Sequence, residues 1–180
     1  MKKVFVILII ILLQTSSVMA DNFNNVKRIM EGDKNAKITI LVYESLTCSH
    51  CANFHINVFP DLKKDYIETG IVKIEFRHFP LDVAALNASK VSQCKNDGET
   101  DILNSLYLNQ SKWIKGATLE KINKNLEEFL KTEGINLNFN KCIKNKNLEN
   151  FILNDRVEGA KKFKVNATPT IIINGEKFEK

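Results

Sequence analysis

Two runs of alternating side chains bracket one helical stretch, and this arrangement restricts the fold more than any other feature of the chain. In KITILVYES (residues 37–45), Ile38, Ile40 and Val42 take one face and Thr39, Leu41 and Tyr43 the other. A period of two with β-branched residues reads as a strand. IVKIEFRHF (residues 71–79) alternates again, setting Val72, Ile74 and Phe76 opposite Lys73, Glu75 and Arg77. Between the two runs, Cys51, Phe54, Val58 and Leu62 recur at helical spacing, Pro60 is placed to kink that helix, and Gly70 ends it. Strand, helix and strand in so short a length predict a βαβ unit with parallel strands.

After Asp82 the texture is helical for about eighty residues, divided by Gly98, Gly116 and Gly134. Thr118 is a good N-cap for a helix with Leu119, Ile122, Leu126, Phe129 and Leu130 on one face. A last helix is expected to bury Leu148, Leu153, Val157 and Ala160. ATPTIIINGEKFEK then returns to strand character at Thr170–Ile173, with Asn174-Gly175 as a hairpin turn. Residues 21–36 are polar and are expected to form a loose lead-in with one short amphipathic piece. The architecture expected is a βαβ half (37–81) and a ββ half (164–180), split by a helical insertion (82–163).

The chain begins MKKVFVILIIILLQTSSVMA. Lys2 and Lys3, the apolar run Val4 to Leu13, and the small-residue end at Val18-Met19-Ala20 have the three-part build of a secretory signal peptide (residues 1–20). Ten apolar residues rise only about 15 Å as a helix, half of a bilayer's hydrocarbon core of roughly 30 Å, so an anchor is disfavoured. Export predicts an oxidising compartment, where the four cysteines would be paired or redox-active. Removing the signal lowers the formal charge from +5 to +3. The positives are scattered, without interleaved aromatics, and suggest no nucleic-acid partner.

LTCSHCANFH (residues 46–55) carries the chemistry. Its first cysteine, Cys48, falls at a strand-to-helix junction, where free backbone N–H groups and the helix macrodipole favour an anion. His50 adds a donor or a positive charge beside it. These surroundings favour the reduced, ionised cysteine and therefore make a Cys48–Cys51 disulfide oxidising. Cys51, one turn into the helix, is placed to resolve a mixed disulfide. Two other readings exist: a zinc site using Cys48, Cys51 and His55, or an inert structural disulfide. Zinc would need a fourth ligand, usually from a second close pair, whereas Cys94 and Cys142 are far apart in sequence. His78 follows a strand and reads equally well as a satisfied histidine near the core. Redox catalysis without metal is the reading adopted.

YESLTCSHCANFH, FRHFPLD and VNATPTIIING, in that order, resemble the DsbA-like branch of the thioredoxin superfamily, the exported bacterial thiol-disulfide oxidoreductases. The resemblance implies a thioredoxin fold with a helical insertion, and a periplasmic enzyme that introduces disulfides into folding proteins. Within it, Cys48 is the nucleophile, Cys51 the resolving cysteine, and Thr168-Pro169 a cis-proline loop that faces them and pairs with extended substrate. It also implies a structural Cys94–Cys142 disulfide within the insertion, a monomer, no cofactor, and reoxidation by a DsbB-like membrane partner. An isomerase or reductase, or an exported scaffold with merely structural cysteines, are the alternative functions. Three features depart from the family pattern. Ser49-His50 replaces the better-known Pro-His. Val42 stands where many relatives place a buried acid; Glu44, two residues nearer Cys48, is read as a solvated strand-end charge or as a substitute acid, with the solvated reading favoured. The chain also stops where relatives continue into a further strand and helix.

Overall fold

The computed structural model describes residues 25–179; the expected signal peptide lies outside them. Five strands form one sheet: β1 (Ile29–Glu31), β2 (Ile38–Glu44), β3 (Val72–His78), β4 (Thr170–Ile173) and β5 (Glu176–Lys177), in the order β1-β3-β2-β4-β5. Only β2 and β3 run parallel, from Ile38 opposite Val72 to Glu44 opposite His78. The other pairings are antiparallel. This is the expected α/β thioredoxin fold with a helical insertion. Asn174 (φ +49°) and Gly175 (φ +90°) both adopt the left-handed conformation that a two-residue hairpin between twisted strands demands.

The alternation in β3 works as its sequence suggests. Val72, Ile74, Phe76 and His78 are buried in the main core, while Lys73, Glu75 and Arg77 face the other side and are half-buried. The stretch after the cysteines is three pieces: α1 (Ser49–Asn57), α2 (Phe59–Leu62) and a π-helical turn (Lys63–Ile67). Helix α1 starts two residues before Cys51. The break falls at Val58, just ahead of Pro60 in the first turn of α2, where the missing N–H of proline costs nothing. Val58, expected on the buried face, is exposed, and Phe59 is buried instead.

The insertion contributes α3 (Val83–Ser92), α4 (Asp101–Leu108), α5 (Gln110–Trp113), α6 (Leu119–Thr132), α7 (Phe139–Ile143) and α8 (Lys146–Lys162). The Thr118 hydroxyl caps α6 by accepting from the Lys121 amide, and Leu126, Phe129 and Leu130 are buried as expected, although Leu119 is exposed. Cys94 and Cys142 are joined as a disulfide, tying the loop after α3 to α7.

Two expectations need correction. The lead-in contains β1, an edge strand whose Ile29 is fully buried; three residues are too short to show a period in sequence. Helix α8 turns a different face inward. Leu148, Phe151, Ile152, Asp155 and Gly159 are buried, whereas Leu153, Val157 and Ala160 are exposed. Charge is the cause. Asp155 accepts from both Arg28 and Arg77, and its second oxygen accepts from the His78 backbone N–H, so the carboxylate is drawn beneath the helix. Once those partners are in place, its burial no longer leaves an unpaired charge.

Candidate active site

The site forms where β2 ends. Glu44 is its last residue, residues 45–48 turn, with the Cys48 N–H donating to the Ser45 carbonyl at 3.0 Å, and α1 begins at Ser49 with Cys48 as its N-cap. Cys48 is partly exposed and Cys51 wholly buried, both as free thiols. The Thr168–Pro169 peptide bond is cis, and the Cys48 Sγ donates to the Thr168 carbonyl at 3.3 Å. Two segments 120 residues apart in sequence thus meet at one sulfur. His50 is exposed on the first turn of α1.

Below the surface the arrangement differs from the favoured sequence reading. Glu44 is not a solvated strand-end charge. It is buried, and its Oε2 lies 2.8 Å from Nε2 of His55, which is also buried. The other ring nitrogen, Nδ1, lies 3.0 Å from the side-chain oxygen of Asn104 on α4, and Tyr107 stacks on the imidazole at 4.1 Å between centroids. Which ring nitrogen donates is set by the tautomer and by the orientation of the Asn104 amide. Both nitrogens are occupied, so His55 offers no lone pair to a metal beside the cysteines. Glu44 Oε1 is buried without a hydrogen-bond partner among the described residues.

Burial pushes the Cys51 thiol far above its ordinary value, and the Glu44 carboxylate pushes it further; the Ser45 backbone pulls the other way. Tyr107 is raised by the same burial and by Glu44. His78 is buried against Gln93, and desolvation lowers its pKa, so it sits in the core as a neutral, satisfied ring. Asn104 and Tyr107 escaped sequence reading because their role depends on where the insertion folds back. The buried role of Glu44 left one usable signal, a carboxylate on the last residue of a strand two positions from Val42.

The thioredoxin family matches residues 24–180. The crystal structure of Wolbachia pipientis alpha-DsbA1 superposes with a TM-score of 0.73 at 31% identity, covering 85% of this chain and 79% of that one. The chain belongs to the DsbA-like branch of the thioredoxin superfamily. Among other DsbA-like relatives, a protein of Rickettsia conorii provisionally named a protein-disulfide oxidoreductase is 29% identical over 147 residues, which is 80% of this chain and 52% of that protein. The chain therefore spans about half the length of such relatives. The protein-disulfide isomerase of Novosphingobium aromaticivorans shares the fold, with a TM-score of 0.75 at 19% identity over 86% of this chain and 90% of that one.

Proposed function

We propose that this protein is an exported thiol-disulfide oxidoreductase that introduces disulfide bonds into folding proteins through Cys48 and Cys51. The observation that carries the reading is the pairing of an accessible Cys48 sulfur at the N-terminus of α1 with a sealed Cys51 one turn on, under the Thr168 carbonyl. The relatives' names supply the reaction class.

The cycle starts from the Cys48–Cys51 disulfide. A substrate thiolate attacks Cys48; the substrate–Cys48 bond forms, the Cys48–Cys51 bond breaks, and Cys51 leaves with the electron pair. Because burial and Glu44 both disfavour its anion, Cys51 takes up a proton at once, and the Glu44–His55 pair is the buried group placed to deliver it. A second substrate thiolate then attacks the substrate sulfur and expels Cys48. The substrate loses two electrons and two protons, and the enzyme holds both as a dithiol. His50, exposed beside Cys48, supplies a donor to the leaving sulfur. Thr168-Pro169 aligns the substrate backbone. The signal-peptide build of residues 1–20 suggests export to the periplasm, and a DsbB-like membrane protein would restore the disulfide.

The test is oxidation of a reduced dithiol peptide, with the reduction potential set against glutathione. Cys48→Ala should abolish turnover, and Cys51→Ala should trap substrate on Cys48 as adducts seen under non-reducing electrophoresis. Substantial turnover by Cys48→Ala, or trapping at Cys94 or Cys142, would overturn the assignment.

A further inference from the structure

The helical insertion reaches the active-site loop through one side chain. The Cys48 side chain makes no capping hydrogen bond to α1, and two carbonyls of its loop, those of Leu46 and Cys48, turn toward Gln110, the first residue of α5. Gln110 Nε2 donates to the Leu46 carbonyl at 2.9 Å and to the Cys48 carbonyl at 3.0 Å. Both partners can only accept, so the carboxamide nitrogen, and not its oxygen, must face them. Its two N–H groups span Thr47 and hold the loop on both sides of it. The Cys48 carbonyl already accepts the first hydrogen bond of α1, from the Ala52 N–H at 3.2 Å, so Gln110 grips the helix start itself. The support is rigid, because Trp113 at the other end of α5 is fully buried and its indole N–H donates to the Leu106 carbonyl at 2.9 Å.

We infer that Gln110 is a positioning residue for the redox cysteine: it fixes the Leu46–Cys48 backbone so that the Cys48 sulfur stays at the helix N-terminus and against the Thr168 carbonyl. The side chain touches no reacting atom. Its effect passes through the backbone of the loop, and it makes the insertion part of the site's geometry. The inference rests on the redox reading of Cys48, but it concerns the reactivity of one sulfur, which can be read whether or not the protein oxidises substrates.

Three substitutions separate the possibilities in the full chain, with Cys94–Cys142 intact and the active-site pair reduced. Gln110→Met keeps the volume and removes both donors, Gln110→Ala removes the side chain, and Gln110→Glu keeps the shape but sets carboxylate oxygens against two carbonyl oxygens. The rate of Cys48 alkylation by iodoacetamide, located by mass spectrometry, should fall about three- to tenfold in the Met and Ala variants, the scale of one or two lost hydrogen bonds, and further in Glu. Thermal unfolding midpoints are recorded beside it. Alkylation within twofold of the unmodified protein in the variants that fold would overturn the inference and leave Gln110 a structural tie. A measurement without substitution guards against variants that do not fold: the Gln110 side-chain amide resonances should shift when the Cys48–Cys51 pair is oxidised, and unchanged resonances would also overturn it. A redox-inactive protein whose alkylation still depends on Gln110 would refute the oxidase reading alone.

Discussion

Nε2 of His55 lies 2.8 Å from a carboxylate oxygen of Glu44, and each side chain is only 1% exposed. One residue closes β2 and the other sits one turn beyond Cys51 in α1, so the pair bridges the strand that ends at the site and the helix that carries its thiols. Asn104 and Tyr107 close it from the insertion side. A buried charge is tolerable only when its partner is present, and that condition yields the first prediction.

His55→Leu alone should destabilise the protein by about 3–5 kcal/mol, because it strands Glu44 as an uncompensated buried carboxylate. Glu44→Leu combined with His55→Leu should cost much less than the two single losses added together. Chemical denaturation of the four members of the cycle measures the coupling. Additive losses would mean that the two groups do not interact energetically.

Cys51 gives the reduced protein an alkaline sensitivity that the oxidised protein lacks. Its thiol is raised in the folded state, so the neutral thiol's contribution to stability is fully present below the ordinary thiol value of about 8.5 and is lost as pH rises above it. The reduced form should therefore lose stability relative to the oxidised form by up to about 1.4 kcal/mol per pH unit above pH 9. Glu44→Gln, which removes a charge that raises the thiol, should leave that slope unchanged in this window and make the loss level off at a lower pH. Melting curves of both redox forms from pH 7 to 10 test this; a gap that stays constant with pH would contradict it.

Gly159→Ala should destabilise the protein despite better helix propensity. A Cβ at this position would lie 2.6 Å from Cε1 of Tyr43, whose ring is fully buried and packed at 5.9 Å from Phe163. Overpacking costs about 1–3 kcal/mol, while alanine returns about 1 kcal/mol of helix propensity. The net loss should be up to about 2 kcal/mol, read by denaturant unfolding. A more stable variant would show that Tyr43 can move aside.

Replacing both Cys94 and Cys142 with alanine should lower stability by about 4 kcal/mol on the chain-entropy account, given a sequence separation of 48. Peptide oxidation through Cys48 should persist, because the bridge lies in the insertion between the region after α3 and α7. An unchanged unfolding midpoint would place the bridge outside the cooperative unit.

Much of the site was legible because its signals are local. The alternation that made β2 and β3 parallel neighbours, the cysteine spacing at their junction, Thr118 as a cap and Asn174-Gly175 as a turn all depend on residues a few positions apart. The face of α8 was misread because Asp155 is buried by Arg28 and Arg77, neither of which belongs to its helix. Strand β1 was missed because its pairing with β3 supplies the order that three residues cannot announce alone.

By itself, the sequence determined which backbone conformations are low in energy and where a reactive sulfur would meet a helix N-terminus, since propensity, period and capping act within one or two turns. Only the tertiary structure decided which polar groups are buried together: Glu44 with His55, Asn104 with His55, Gln110 with the carbonyls of Leu46 and Cys48. The physical reason is that a charge or an amide reads the same in sequence whether water or a distant side chain satisfies it. Burial, which removes the water and makes that partner obligatory, exists only once the insertion has closed over the end of β2.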